Sequence, residues 1–144
     1  YLTQGISGVV FGDVYLEDLR SYREEKLKPI GLKAIFPLWQ KEPKMLAKEF
    51  IQAGFEAIIT CINSKLLDKK FLARVFNQGF LDELPKGVCP LGEKGEFHSF
   101  VYQAPIFKEK IELEKGEMVL RENGFWYGDL VLRSGIREKR WLRV

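Results

Sequence analysis

A chain of 144 residues, 46% hydrophobic and 30% charged, has enough apolar mass to bury a core, which excludes a disordered segment. Its formal net charge of +3, from 23 basic and 20 acidic residues, lacks the cationic excess of a dedicated nucleic-acid binder. Two cysteines, Cys61 and Cys89, and one histidine, His98, show no metal-ligand spacing, so no zinc site is expected.

The longest apolar run, around Phe55 to Ile62, is far too short for a bilayer, and no basic start followed by an apolar stretch marks a signal peptide. Cytoplasmic residence without a membrane partner is the resulting expectation.

In chain order, Gly8-Val9-Val10-Phe11 is a short apolar run closed by Gly12-Asp13, which predicts a buried parallel strand. Asp13 is placed to cap a helix over Tyr15 to Lys28, with Glu17 and Asp18 in the first turn and Lys26 and Lys28 in the last, and with Pro29 and Gly31 as the stop. Leu32 to Phe36 predicts a second strand. Pro43 suits the first position of a helix that Gly54 ends in a left-handed conformation. Phe55 to Ile62 then reads as a third strand, and strand–helix–strand–helix–strand is the pattern of a doubly wound parallel sheet.

Beyond Asn63 the pattern changes. Short helical stretches are expected near Lys69 to Asn77 and Phe80 to Leu84. Strands are expected over Phe97 to Tyr102, Phe107 to Leu113, Met118 to Arg121 and Phe125 to Leu132, with Asn123-Gly124 as a hairpin turn. The fold class is therefore α/β: residues 1–64 as part of a parallel sheet, residues 65–144 as a small α+β domain with antiparallel strands.

Parallel sheets bind ligands at their strand C-terminal ends. Gly12, Asp13 and Trp39 lie at such ends, with Arg20 and Glu24 one helical turn apart on the helix between. The same residues also fit a plain reading, with Arg20 and Glu24 as a solvated pair and Trp39 in the core. The most unusual stretch is Gly92-Glu93-Lys94-Gly95-Glu96-Phe97-His98, two carboxylates beside two glycines at a loop-to-strand junction. Carboxylates so placed can orient a cationic or amide group, position ammonia, or hold a magnesium ion, and glycine lets backbone approach a ligand. An ordinary charged turn has the same composition. His98 fits either proton transfer or a structural place at the sheet edge. From Arg133 to Arg143 basic residues surround Trp141, a patch able to touch RNA but too short for many phosphate contacts.

Taken together and in order, Val9-Val10-Phe11-Gly12-Asp13-Val14, Phe36-Pro37-Leu38-Trp39, Gly54-Phe55-Glu56-Ala57-Ile58-Ile59 and Gly92 to Val101 resemble the diphthine–ammonia ligase family. That family belongs to the N-type ATP pyrophosphatase group of the PP-loop, adenine nucleotide alpha hydrolase-like superfamily. Its members carry an N-terminal Ser-Gly-Gly-Lys-Asp-Ser loop that grips ATP, which this chain lacks. The resemblance implies a C-terminal portion: residues 1–64 as the second half of a HUP-like nucleotide domain, and residues 65–144 as the substrate domain. It also implies adenylation of a carboxylate and attack by ammonia, with ATP and Mg2+ held mainly by the absent part, so that this portion alone is inactive. Gly12, Asp13, Arg20, Glu24 and Trp39 would then serve the nucleotide. Glu93 and Glu96 would be catalytic, and Gly92, Gly95, Phe97 and His98 would bind substrate. The implied partners are a carboxylate substrate, elongation factor 2 if diphthamide is the product, ammonia, and a second copy in a homodimer. Cys89-Pro90-Leu91 departs from the family's Asp-Pro-Cys before Gly-Glu, and Ser99 replaces a common threonine. The acceptor thus stays open between diphthine and another carboxylate, and a non-catalytic nucleotide- or RNA-binding module remains the alternative.

Overall fold

A computed structural model describes residues 5–133. The chain divides between Met45 and Leu46 into two compact units.

In the first unit, β1 (Gly8–Val10) and β2 (Lys33–Ile35) form a parallel pair with Gly8 opposite Lys33 and Val10 opposite Ile35. The crossover between them is α1 (Glu17–Leu27), as the alternation of apolar and helical stretches predicts. It ends in a single 3-10 turn, Lys28–Ile30, that takes Pro29 into its first positions, and Gly31 at φ 71° turns the chain into β2. Asp13 does not cap α1. The capping position is Leu16, with no side-chain bond, and Asp13 is drawn instead to a guanidinium further along the helix.

The second unit takes in most of α2 (Pro43–Gln52), which starts on Pro43 and buries Leu46 and Ala47. Gly54, at φ 82°, follows it as expected. Its main feature is an antiparallel sheet in the order β4-β3-β6-β5, made of β3 (Glu56–Asn63), β4 (Phe97–Gln103), β5 (Leu113–Leu120) and β6 (Phe125–Leu132). The expectation that the strand from Phe55 belongs to the parallel sheet is therefore overturned. β3 pairs antiparallel with β4 along its whole length and with β6 through Cys61 to Asn63. Its six consecutive buried residues reflect a central strand covered on both faces, a burial that parallel and antiparallel sheets share.

The segment after β3 contains a 3-10 turn, Lys69–Phe71, rather than a longer helix, followed by α3 (Gln78–Glu83). Between them, residues 73–76 lie along the first half of β3: Ile59 N donates to Arg74 O at 2.9 Å and Phe76 N to Ala57 O at 2.8 Å. Phe107 to Glu112 is not a strand, and the next strand begins at Leu113 rather than Met118. Phe107 N bonds back to Ala104 O in a turn that starts the passage from β4, on one edge of the sheet, to β5 on the other. The Asn123-Gly124 hairpin forms as predicted, with Gly124 at φ 80° and Asn123 Oδ1 accepting from Phe125 N.

The core of this unit gathers Ala47, Ala57, Ile59, Ile62, Leu67, Phe71, Leu72, Phe76, Phe80 and Phe97. Phe80 is central: ring centroids of Phe71, Phe76 and Phe97 lie 5.8, 5.5 and 5.4 Å from its own, spacings at which aromatic pairs attract beyond their burial. Ile59 and Ile62 both face this core because a bulge shifts the β3–β4 register between Ile59 and Cys61. The extra residue turns Thr60 and Cys61 together to the opposite face.

Candidate functional site

Each unit carries one of the two residue groups that the sequence singles out. In the first unit, the chain leaves β1 and β2 through Phe11 and Phe36, whose rings stack at 5.5 Å, and Trp39 meets Phe36 edge-on at 6.0 Å. Gln40, in the left-handed region at φ 60°, donates its N–H to Val14 O at 2.7 Å and so ties the loop after β2 to the loop after β1. Arg20 lies over this surface, 4.6 Å from the Trp39 ring and 5.0 Å from that of Phe36, while its Nε donates to Glu24 Oε1 at 2.8 Å. A guanidinium over aromatic faces is held by the ring quadrupole.

Asp13 is buried. Its carboxylate faces Arg23, with Nε and Oδ2 2.8 Å apart and Nη2 donating to Oδ1 at 3.3 Å. The closer approach is ion pairing without hydrogen-bond alignment, since Oδ2 and Nε each lack a hydrogen-bond partner. Asp13, Arg20, Glu24 and Trp39 thus come together at the strand ends, and Gly12 sits among them with open space where a side chain would be. Arg23 and Phe11 complete the group, the guanidinium lying 4.4 Å from the Phe11 ring. The sequence reading missed both, although Arg23 follows Arg20 at helical spacing.

In the second unit, the loop from Cys89 to Glu96 folds around one buried carboxylate. Glu96 is 2% exposed. Its Oε1 accepts from Cys89 N and its Oε2 from Lys94 N, each at 2.8 Å. Its carbonyl accepts from Asn63 N at 2.9 Å, fastening the loop to the end of β3. Gly92 and Gly95 have φ 70° and 78°, and Gly95 N closes a turn onto Gly92 O at 3.0 Å. A Cβ on Gly92 would stand 2.6 Å from Phe97 O, so only glycine fits there. Glu93 is half-buried in this turn.

Phe97 is buried beneath the loop in the aromatic core. His98 stands opposite Cys61 in the register, so it is exposed on the other face of the sheet. The structure therefore brings Gly92, Glu93, Gly95 and Glu96 into one loop over Phe97, with His98 turned away. Sequence reasoning passed over the backbone N–H groups of Cys89 and Lys94, and no side-chain pattern signals them.

On the face that carries His98, a cavity of about 80 Å³ is lined by Thr60, Cys61, Phe100, Arg121, Tyr127 and Asp129, among others. Burial pushes the Cys61 thiol pKa up, against a hydrogen bond with Tyr127 that lowers it. Nearby, the hydrogen bond from Lys110 and then that from Tyr102 pull the Glu56 carboxyl below its ordinary value. Among the described residues, no group of His, Cys, Asp and Glu is placed to hold a metal ion, and no helix is long and apolar enough to cross a membrane. The basic stretch beyond Arg133 lies outside the described residues.

Residues 42–132 match the sequence family described as diphthamide synthase C-terminal domain. The chain belongs to that family. The match begins one residue before α2 and ends with β6, so this C-terminal domain coincides with the antiparallel sheet, its helices and the Glu96 loop. Among curated proteins the chain is similar to a diphthine–ammonia ligase of Rattus norvegicus, 33% identical over 120 residues. It is also similar to one of Homo sapiens, 31% identical over 120 residues. In both cases the alignment covers 80% of this chain and 45% of the relative. One of Schizosaccharomyces pombe is 32% identical over 109 residues, 73% of this chain and 18% of its own length. The chain thus spans about half the length of the mammalian relatives it matches.

Proposed function

We propose that this chain is the substrate-side part of an ATP-dependent amide ligase acting in diphthamide synthesis or on a chemically similar carboxylate. The observation that carries the reading is the Gly92–Phe97 loop. It is a fixed backbone turn bearing two glutamates, anchored on a buried carboxylate, within a domain matched to the diphthamide synthase C-terminal family.

A carboxylate resists amidation because resonance stabilises it and hydroxide leaves poorly. Transfer of AMP from ATP makes the carboxyl oxygen a leaving group, and attack by ammonia on the acyl carbon then forms the C–N bond and releases AMP. Glu93 and Glu96 are assigned to this site, Gly92 and Gly95 to its backbone shape and Phe97 to its floor, while His98, on the opposite face of the sheet, is left out of it. Mg2+ bound with ATP would supply charge neutralisation for the departing pyrophosphate, and no residue of this loop is assigned to hold it.

The first unit is read as the closing part of a HUP-like nucleotide domain. Two parallel strands alone leave Val10 64% and Ile35 47% exposed, whereas parallel sheets are ordinarily covered on both faces. Further strands, supplied by the half that the relatives possess, would cover them. Gly12, Asp13, Arg20, Glu24 and Trp39 fit the base or ribose side of a nucleotide, since stacked aromatics and a guanidinium suit a planar ring. They offer no glycine-rich cradle for phosphates, so the triphosphate and its Mg2+ are assigned to that other half, in a cytoplasmic enzyme. Cys89-Pro90-Leu91 borders the loop, and it is here that the choice of acceptor is placed.

The test uses the full-length protein with ATP, ammonium and elongation factor 2 carrying diphthine. The expected result is carboxylate-to-amide conversion by mass spectrometry with equimolar AMP. AMP release with a small carboxylate but not with the factor would move the acceptor to that class. Neither product would sink the ligase reading. This chain alone is expected to show no micromolar affinity for ATP by calorimetry.

A further inference from the structure

We propose that the cavity on the His98 face of the antiparallel sheet binds a free α-amino acid with an apolar side chain, its carboxylate held by Arg121 and its ammonium group by Asp129. The inference goes beyond the amide-ligase reading and does not rest on it. The cavity opens on the opposite face of the sheet from Phe97 and the aromatic core.

The cavity exists because β6 stays beside β3 for only three residues. Phe125 to Tyr127 pair with Asn63 to Cys61. Beyond them the flank of β3 at Ala57 and Ile59 is taken by residues 73–76, so the β5–β6 hairpin runs on without β3. The bulge between Ile59 and Cys61 turns Thr60 and Cys61 into the gap. Both are buried and form its floor, while Phe100, Leu113, Leu130 and Leu132 supply apolar walls. Its volume of about 80 Å³ has room for several atoms, since a single water needs about 10–15 Å³. A second groove, of about 200 Å³, shares Leu113 and Leu130 with it and adds Ile58 and Ile111, which extends the space open to an apolar side chain.

Two opposite charges line the same cavity. Among the described residues neither Arg121 nor Asp129 has an ion-pair partner, and they do not pair with each other. Arg121 lies over the Tyr127 ring, 4.2 Å from its centroid, and a stacked guanidinium keeps its in-plane N–H donors free for a carboxylate. Both charged residues are exposed whereas Thr60 and Cys61 are buried, so the charges stand at the mouth and the apolar walls lie within. The ligand that matches this arrangement carries an anion and a cation side by side at one end and an apolar body at the other. A simple fatty carboxylate would face Asp129 as a like charge, an amine would face Arg121, and the end of a peptide chain brings only one of the two charges. A free amino acid brings both, keeps them near water and so avoids the cost of burying charge, and gains by placing its side chain against the leucines and Phe100.

The test titrates the full-length protein with L-leucine by calorimetry, and in parallel follows alkylation of Cys61 and Cys89 by peptide mass mapping. The expected Kd is roughly 0.1–1 mM, as befits so small a ligand. Leucine should slow alkylation of Cys61, on the cavity floor, in proportion to occupancy and leave Cys89 unchanged. Two analogues on the unaltered protein separate the charges: isocaproate, which lacks the amino group, and isoamylamine, which lacks the carboxylate, should each bind about tenfold or more weaker. Arg121→Gln and Asp129→Asn should each weaken leucine by about tenfold while Cys89 alkylates at the wild-type rate, which shows that the fold is kept.

Absence of both heat and Cys61 protection at saturating leucine overturns the proposal. Isocaproate or isoamylamine binding as tightly as leucine overturns the amino-acid class, since one of the two charges would then contribute nothing. Protection of Cys89 in place of Cys61 moves leucine to the Glu96 loop and overturns it as well. Neither readout uses ATP or an amide product, so failure of the ligase reading leaves this result standing, and the reverse holds too.

Discussion

Gly92 shows how closely a single position can be bound by its neighbours. Any side chain there meets the Phe97 carbonyl and must also take φ 70°. Gly92→Ala is expected to destabilise the protein by about 1–3 kcal/mol in urea unfolding. The same replacement at Gly12, where space is open, carries no such clash. Cys61, buried and with its thiol pKa raised by burial, should react with iodoacetamide far more slowly than a free thiol at neutral pH, since the thiolate is the nucleophile. Glu56 gives a pH signature. Its folded pKa lies below the unfolded value because Lys110 and Tyr102 favour the ionised form. Its contribution to stability is thus present above the unfolded pKa of about 4.3 and is lost as pH falls through the folded value. The pair is exposed, so the effect is small. The stability gap between wild type and Lys110→Ala should be open at neutral pH and closed in acid. At this scale the sequence reveals the residue types at the loop but not that Glu96 is its buried anchor, because the partners of Glu96 are backbone N–H groups that every loop possesses.

The elements were legible where local chemistry decides them. Pro43 begins α2, Gly54 follows its end, and Asn123-Gly124 turns β5 into β6. They were not legible where a distant partner decides, as with β3. A run of apolar residues announces a buried strand, yet its direction relative to neighbours depends on β4 and β6, which come much later in the chain. The parallel reading failed for that reason, and the break from Phe107 to Glu112 was missed because the chain must travel there between opposite edges of a sheet. Among the helices, α3 is short and depends on its cap: Asn77 Oδ1 accepts from Phe80 N at 2.9 Å. Asn77→Ala should cost about 1 kcal/mol in thermal or urea unfolding. Phe80→Ala, which empties the centre of the aromatic core, should cost about 3–5 kcal/mol.

For the molecule as a whole, the family match and the division into units fall close together, at residues 42 and 45/46. Residues 42–144 produced alone should therefore unfold cooperatively with a dispersed amide spectrum; a collapsed spectrum would show that the first unit is needed for the second to fold. Residues 1–41 should not fold by themselves, since two short parallel strands and a helix that buries no residue provide too little core.

The sheet order β4-β3-β6-β5 also bears on how the chain reaches its native state. The strand at the centre is made first, and the partner on its second edge is made last. Until Phe125 to Leu132 have left the ribosome, the most apolar strand of the domain has an unpaired edge at Cys61 to Asn63. Pairings this distant in sequence slow folding and prolong the time in which sticky surface is open to other chains. Products truncated before Phe125 should accumulate as insoluble aggregates, and holding nascent chains at low temperature or with a chaperone until β6 emerges should raise the soluble yield.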